Sequence, residues 1–353
     1  MKRLVRWLQG WLQERIPVDV ERLREPLREP LPVHLKQWFF CLGGTPLMLF
    51  CILAATGILL TFYYVPSPSH AYDSIVNITY RVRFGWFIRG IHRAASHLMV
   101  FTVLLHMIRV FCTRSYRKPR ELNWMLGVAL FLTVLGFGFT GYSLAYDQLS
   151  YWATTVGTNL LGDTPIVGKT LLYLLRGGPD VNPNTLTRFY DFHIGVFPTI
   201  LTLLIAAHLL MVRMHGVARL ENDPRQETYP FFPDHVLREV VIGMLILAAL
   251  VNYVIFFPPD VGVRANPLET PSEIRPEWYF FPSYRWLKLV PLKVGLWGSM
   301  FYVACMFLWP FIDSAFERIA PRRRVGQFVG ICGFLVTIVF MVWEAIVGSR
   351  GGL

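Results

Sequence analysis

The sequence predicts an all-α, polytopic membrane protein. Of its 353 residues, 54% are hydrophobic and only 16% are charged, whereas about a quarter of the residues in a soluble chain are charged. The apolar residues are grouped into runs of about 20, the length that an α-helix needs to cross a bilayer. Seven such runs lie at roughly 39–63, 88–112, 124–145, 190–213, 236–257, 293–312 and 326–348.

The loops between these runs differ in charge, and this difference predicts their orientation. The stretch between the second and third runs is strongly basic. It holds Arg109, Arg114, Arg117, Lys118 and Arg120, against Glu121 alone. The loops 146–189 and 258–292 each carry no net charge. Because Lys and Arg collect on the cytoplasmic side, we predict the N-terminus on the negative (n) side and the C-terminus on the positive (p) side. The net charge of +11 is explained in this way, and we expect no nucleic-acid partner.

Four segments follow from this pattern. Residues 1–38 are a charged n-side segment, in which 1–33 are either an amphipathic helix on the membrane surface or a solvated tail. Residues 39–213 form a four-helix half, 214–235 a polar n-side connector, and 236–353 a three-helix half. The loop within the last segment is rich in Pro and aromatic residues, which predicts a piece folded into the interface and not a free linker.

Four histidines form two matched pairs. The second run carries His92 and His106, and the fourth carries His193 and His208. Spacings of fourteen and fifteen residues leave about −40° and +60° of helical rotation, so each helix presents two imidazoles on roughly one face. Both runs descend from p to n, which places His92 level with His193 (the p-side level) and His106 level with His208 (the n-side level). Two facing imidazoles are the axial ligands of six-coordinate haem iron. A packing role fits one membrane histidine better than four in matched pairs, so we predict two b haems in the four-helix bundle.

Glycines repeat this spacing on the other two helices. Gly43 and Gly57 lie fourteen apart in the first run, as do Gly127 and Gly141 in the third. A macrocycle edge can approach the backbone where there is no Cβ, so we predict flat gaps at both levels. Close helix–helix contact through small residues is the alternative.

Basic residues flank the predicted ligands. Arg89, Arg93 and Arg109 could pair with haem propionates, although anchoring at the n side explains Arg109 equally well. His97 lies about 140° from the ligand face, and we predict that it packs or faces lipid.

The sequence resembles that of a known family, the cytochrome b subunit of quinol-oxidising bc and bf complexes. The resemblance runs from about Trp7 to Val347. Its motifs are FFCLGG (39–44), IRGIHRAASH (88–97), SYRKPRELNW (115–124), GYSLAYDQ (141–148), LTRFYDFH (186–193) and PEWYFFP (276–282). CLGG, KPREL and the fifteen-residue histidine spacing are similar to the bf type. There the two halves are separate chains, the second called subunit IV, and the resemblance implies that they are fused here. GYSLAYDQ lacks the Pro and Trp that usually precede the Asp.

The resemblance implies quinol oxidation at the p side. Electrons pass through the two haems to an n-side quinone, and protons are translocated. It implies a homodimer in a prokaryotic cytoplasmic membrane, surrounded by lipid. Its partners are a Rieske-type iron–sulfur protein and a c-type cytochrome subunit, or a plastocyanin-type acceptor. Two interpretations compete with this one. A di-haem membrane anchor of a dehydrogenase needs neither PEWY nor the glycine pairs, and a transporter or channel predicts no haem.

Glu277 is the predicted proton acceptor for quinol. It is flanked by Pro276, Trp278 and Tyr279, an apolar setting in which a carboxyl can take up a proton; an interfacial Glu beside an aromatic belt is the alternative. By resemblance, Tyr142 and the segment 146–160 form the opposite wall of the pocket.

On the n side, the resemblance implies that Cys41 holds a third haem through one thioether bond, as a haem c. The alternative is a plain buried thiol, which we expect for Cys51, Cys112, Cys305 and Cys332. Arg213 and Asp234, at n-side helix ends, could serve proton uptake at the quinone site. A helix-end anchor and cap explain these two residues equally well.

Overall fold

The computed structural model describes residue 3 and residues 29–220, 227–320 and 324–350. Within this part of the chain, seven helices are long and apolar enough to cross a membrane. They are Phe39–Thr61, Gly85–Cys112, Glu121–Ser143, Pro183–His215, Phe231–Phe256, Leu292–Ile319 and Val325–Val347. The all-α class and the seven predicted spans are therefore confirmed. The predicted surface helix of 1–33 lies almost wholly outside the described residues.

The helices are joined by short turns and by three longer folded loops, 62–84, 144–182 and 257–291, at the end of the bundle that the charge pattern predicts to be the p side. The first half contains α1 (Gly44–Thr61), α2 (Ala71–Tyr80), α3 (Gly85–Cys112), α4 (Glu121–Ser143), α5 (Gln148–Gly162), α6 (Gly168–Arg176), α7 (Pro183–Asp191) and α8 (Phe197–His215). The second half contains α9 (Val236–Phe256), α10 (Phe281–Leu289), α11 (Leu292–Ile319) and α12 (Val325–Arg350). The strands β1 (Pro30–Pro32) and β2 (Thr228–Pro230) pair antiparallel before the first and fifth spans.

The fourth span begins seven residues earlier than its apolar run. Asn182 caps α7 in a capping box and Pro183 occupies its first turn, the residues that favour a helix start. A π turn over Phe192–Val196 then joins α7 to α8. A π turn takes up one residue more than an α turn. The fifteen-residue spacing from His193 to His208 therefore gives the rotation of a fourteen-residue spacing in a regular α-helix. The rotation left after whole turns is about −40°, the same as between His92 and His106 on the second span.

The main core lies where the first five spans meet. It includes Leu49 of α1, Met99 of α3, Val134 of α4, Leu201 of α8 and Leu250 of α9. Helix α9 thus packs directly on the four-helix half. It approaches α3 at Gly90, where a Cβ would collide with Val254 of α9.

The loop 258–292 is folded against the p-side ends of α2 and α3, as its composition predicts. The Tyr80 hydroxyl donates to the Asp260 carboxylate over 2.9 Å, and the Tyr72 hydroxyl donates to the Gly262 carbonyl over 2.8 Å. Further along, Trp278 and Tyr279 pack against the main core. The PEWY segment therefore reaches inward to the helices that carry the paired histidines.

Candidate functional site

The structure brings together the p-side pair of histidines. The ring centroids of His92 and His193 lie 6.3 Å apart, with 68° between the ring planes. A metal bound between the two rings would need two metal–nitrogen bonds of about 2 Å each. Adding the distance from each nitrogen to the centroid of its own ring gives a centroid separation of this size.

Two threonines that the sequence analysis missed set the proton positions of this pair. Thr56 Oγ1 lies 2.9 Å from Nδ1 of His92, and Thr140 Oγ1 lies 3.1 Å from Nδ1 of His193. Each hydroxyl donates its own proton to a helix carbonyl, over 2.7 and 2.9 Å, and so accepts from the imidazole. This leaves each Nε2 with a free lone pair, the form that binds a metal. The repeated Thr–Gly pair at 56–57 and 140–141 was the available signal.

The n-side pair has the same separation with different support. The ring centroids of His106 and His208 lie 6.4 Å apart, with 73° between the planes. Arg109 Nη2 lies 3.3 Å from Nδ1 of His106. Because a guanidinium can only donate, Nε2 of His106 is free to bind a metal only when this contact opens. His208 interacts with the backbone of Asn123. Among the described residues, Nε of Arg109 is buried without a hydrogen-bond partner. A buried guanidinium with an unused donor suits an anionic group such as a propionate.

Each of the four predicted glycines faces one of the four histidines. A Cβ added to Gly43 would lie 3.6 Å from Cε1 of His106, and one added to Gly57 would lie 3.3 Å from Cε1 of His92. On the other helix, a Cβ added to Gly127 would lie 3.8 Å from Cε1 of His208, and one added to Gly141 would lie 2.7 Å from Cε1 of His193. The shared spacing of fourteen residues therefore places glycine and histidine at common levels, as the sequence predicts.

A cavity of about 90 Å³ lies at the n-side level, between His106 and His208 and beside Gly43 and Gly127. Facing imidazoles, glycine-lined walls and a buried orphan donor together fit a haem at this level. The p-side level has the same imidazole separation and closer glycines, so the residues there also fit.

The flanking arginines on the p side have different surroundings. Arg89 donates to Thr79 Oγ1 and to the Asp260 carbonyl, each over 2.9 Å, so it also ties the p-side loop to α3. Arg93 is exposed and acts electrostatically on Tyr142. Neither contact decides whether these side chains pair with propionates, which remains a prediction.

Glu277 stands at the start of a 3₁₀ turn, Trp278–Phe280, that inserts into the bundle. Tyr279 crosses to α4, where a Cβ at Gly138 would lie 2.6 Å from its hydroxyl. Burial, and then the charge of Glu277, raises the pKa of Tyr279 above its ordinary value, so its phenol stays protonated at neutral pH. Tyr142 interacts electrostatically with Glu277. The predicted p-side residues therefore form one cluster.

His97 belongs to this cluster, contrary to the lipid-facing alternative in our sequence-based prediction. The Trp278 indole nitrogen lies 3.1 Å from Nδ1 of His97, and the ring of Tyr279 lies 6.3 Å from the imidazole. The sequence contains no signal for this contact because the partners are 181 residues apart.

On the n side, Cys41 lies two residues before Gly43 and is 2% exposed. Its Sγ is 3.9 Å from the carbonyl oxygens of Leu35 and Gln37. The Glu239 carboxylate packs against Gly44, where a Cβ would collide with it. The thiol is therefore enclosed by its own turn.

The structure also shows a polar chain beside this turn. The Tyr229 hydroxyl lies 2.8 Å from Nδ1 of His235, and burial raises the pKa of Tyr229 to about 12. Nε2 of His235 lies 3.5 Å from Oε1 of Glu239. Of the predicted uptake residues, Arg213 pairs with Glu29 and Asp234 is exposed. The i, i+4 spacing of His235 and Glu239 was the signal for this chain.

Known proteins resemble this chain along nearly its whole length. Residues 27–216 match the family described as cytochrome b/b6/petB, and residues 264–350 match cytochrome b (C-terminal)/b6/petD. The cytochrome b subunit of a cytochrome bc complex from Chlorobaculum thiosulfatiphilum is 35% identical over 94% of this chain and 79% of that protein. Cytochrome b6 of Heliobacterium mobile is 43% identical over 59% of this chain and 98% of that protein. Among solved structures, a hyperthermophilic respiratory Complex III gives a TM-score of 0.77 at 27% identity, covering 94% of this chain and 96% of that one.

Proposed function

The chain belongs to the cytochrome b family of bc- and b6f-type complexes, with the b6-type and subunit IV-type parts fused in one membrane protein, and on this premise we propose that it couples quinol oxidation at the p side to quinone reduction at the n side. The observation that carries the proposal is the pair of matched imidazole levels, 6.3 and 6.4 Å between ring centroids. When bound there, two b haems supply one-electron transfer across the bilayer.

The roles of the chain's own residues follow from the contacts. His92 with His193, and His106 with His208, would hold the two haems through their imidazole nitrogens. Thr56 and Thr140 hold the p-side imidazoles in the tautomer that leaves Nε2 free. The glycines let a flat group lie against α1 and α4.

At the p side, Glu277 takes up a proton from quinol while Tyr142 and Tyr279 line the pocket. The electrostatic interaction of Glu277 with the half-buried phenols of Tyr142 and Tyr279 supports this role. One electron goes to a Rieske-type iron–sulfur protein that serves a c-type cytochrome or similar acceptor, and the other enters the bundle. Release of the protons on the p side and uptake on the n side translocates charge. The assembly is a homodimer surrounded by lipid.

At the n side, Arg213 and Asp234 serve proton uptake, and His235 and Glu239 extend that route inward. The run of contacts from Tyr229 through His235 to Glu239, at 2.8 and 3.5 Å, supports this extension, because all three side chains can carry a proton.

We also propose the single thioether at Cys41, since the residue lies two positions before Gly43, the glycine that faces His106. Because its thiol is enclosed by the Leu35 and Gln37 carbonyls, attachment requires this turn to open. A denaturing gel stained for haem peroxidase tests it. Cys41→Ala should abolish the stained band and Cys51→Ala, at an exposed thiol, should retain it. A wild-type chain without stain contradicts the third haem and favours the plain thiol.

Replacement of single ligands tests the main proposal. His193→Leu should remove the p-side haem signal from a redox-titrated spectrum and leave the n-side signal in part. His70→Gln is the matched control, because His70 is exposed and bonds to two serines of its own turn. The proposal fails if both signals survive loss of either member of a pair.

A further inference from the structure

His97 links the PEWY segment to the second span. It stands on α3, five residues beyond His92 and away from the face that carries the paired imidazoles. The Trp278 indole nitrogen approaches its Nδ1 at 3.1 Å. The segment that carries Glu277 is thus fastened to a membrane helix by a single side-chain hydrogen bond between aromatic rings.

The chemistry of the two rings fixes where the protons lie. Indole N–H can only donate, so Nδ1 of His97 must hold a lone pair and the ring proton must be on Nε2. A charged imidazolium has N–H at both nitrogens. Protonation of His97 and its bond to Trp278 therefore exclude one another.

The charged and titratable groups around His97 come from three elements. Glu277 of the loop and Arg93 of α3 act on it electrostatically, with opposite charges. The Tyr279 ring lies 6.3 Å away, and Tyr142 of α4 interacts with both Glu277 and Arg93. Proton transfer from quinol to Glu277 would therefore change the electrostatic potential at His97.

We propose that His97 is a positioning residue of the p-side quinol site, which holds Glu277 and Tyr279 in place through Trp278 and releases them when its Nδ1 is protonated. The proposal rests on quinol oxidation at PEWY, as argued above. When a proton from the p-side solution or from quinol binds at Nδ1, the N–H···N bond to Trp278 breaks and a new N–H forms. The resulting positive charge acts on the Glu277 carboxylate and lowers its affinity for a proton from quinol.

Three variants of the intact complex separate these effects. His97→Leu removes the acceptor at similar volume, Trp278→Phe removes the donor and keeps an aromatic ring, and His97→Asn offers a carbonyl oxygen that does not titrate. With a short-chain quinol, the first two should lower kcat/KM by about five- to tenfold, the effect of one lost hydrogen bond, mainly through KM. The double variant should lose no more than either single one.

The asparagine variant carries the decisive measurement. It should restore most of the kcat/KM lost in His97→Leu and should flatten the acid side of the pH profile. Haem spectra of all variants should match the wild type. If His97→Leu and Trp278→Phe leave kcat/KM unchanged while Glu277→Gln slows oxidation, the positioning role is wrong and the quinol site stands. If Glu277→Gln is also without effect, the proposed p-side site itself fails. Equal impairment of the Leu and Asn variants, with unchanged pH profiles, also overturns the proposal.

Discussion

Asp313 joins the two halves of the chain, and its replacement tests how strongly they are held. It lies on α11 and is 1% exposed. Arg114, Tyr116 and Arg117, all in the loop between the second and third spans, donate to its carboxylate at 3.0 to 3.3 Å. A helix of the second half thus supplies the anion for a basic loop of the first half.

The expected size of the effect follows from burial. Asp313→Asn leaves the guanidiniums of Arg114 and Arg117 facing a neutral amide, with the exposed Glu317 as their remaining carboxylate partner. Removing one partner from a buried ion pair costs about 3–5 kcal/mol. Glu317 provides a matched control on the same helix, because it also contacts Arg117 but its side chain is 44% exposed. An exposed pair contributes about 0–1 kcal/mol, so Glu317→Gln should have little effect.

Reversible unfolding in detergent, followed by helical circular dichroism during titration with a denaturing detergent, measures both variants. We expect the free energy of unfolding to fall by about 2 kcal/mol more for Asp313→Asn than for Glu317→Gln. The first variant loses a buried carboxylate that accepts from three side chains, while Glu317 still offsets part of the guanidinium charge. Equal shifts for the two variants would show that the cluster contributes no more than a surface pair, and the assignment of Asp313 as the joint between the halves would be wrong.

Three further predictions concern single contacts. Gly141→Ala should weaken the p-side haem signal, because its Cβ would lie 2.7 Å from a ligand histidine, while Gly127→Ala, at 3.8 Å from its histidine, should have the smaller effect in the same spectrum. Thr140→Val should raise the midpoint potential of the p-side haem only, since losing the Nδ1 bond makes the ligand less basic; a redox titration in which both midpoints stay constant would refute this. Burial raises the pKa of Tyr229 from 10.0 to about 12, so unfolding releases a proton above pH 10 and stability should fall between these values. Tyr229→Phe should reduce this fall in the free energy of unfolding measured against pH.

The features that the sequence predicted well are those fixed by helix periodicity. A spacing of fourteen residues determines rotation and rise wherever the helix lies, so the glycines and histidines could be matched before any coordinates. Their facing positions in the structure, such as Gly57 against His92, follow from the same arithmetic. The π turn at 192–196 was not predictable in this way. It corrects the larger rotation that an ideal helix would give the fourth span.

The features that the sequence analysis missed depend on contacts between distant segments. His97 was placed off the ligand face correctly, but nothing in the second span indicates that Trp278 would reach it. Glu239 was likewise not assigned, because its relation to Gly44 arises only when α9 packs beside α1. Loop placement is set by tertiary packing, for which a single sequence has no periodic signal.

The two histidine levels differ in ways that bear on the direction of electron flow. At the p-side level, threonine hydroxyls accept from both Nδ1 groups. Such bonds make imidazole a stronger donor and favour the oxidised metal. At the n-side level, the always-charged guanidinium of Arg109 lies 3.3 Å from His106, and His208 interacts with the backbone of Asn123 and not with a threonine hydroxyl. A fixed positive charge favours an added electron. With haems bound as proposed, the fixed charge of Arg109 would make the n-side level the better place for an electron, which is the direction that the proposed transfer from p to n requires.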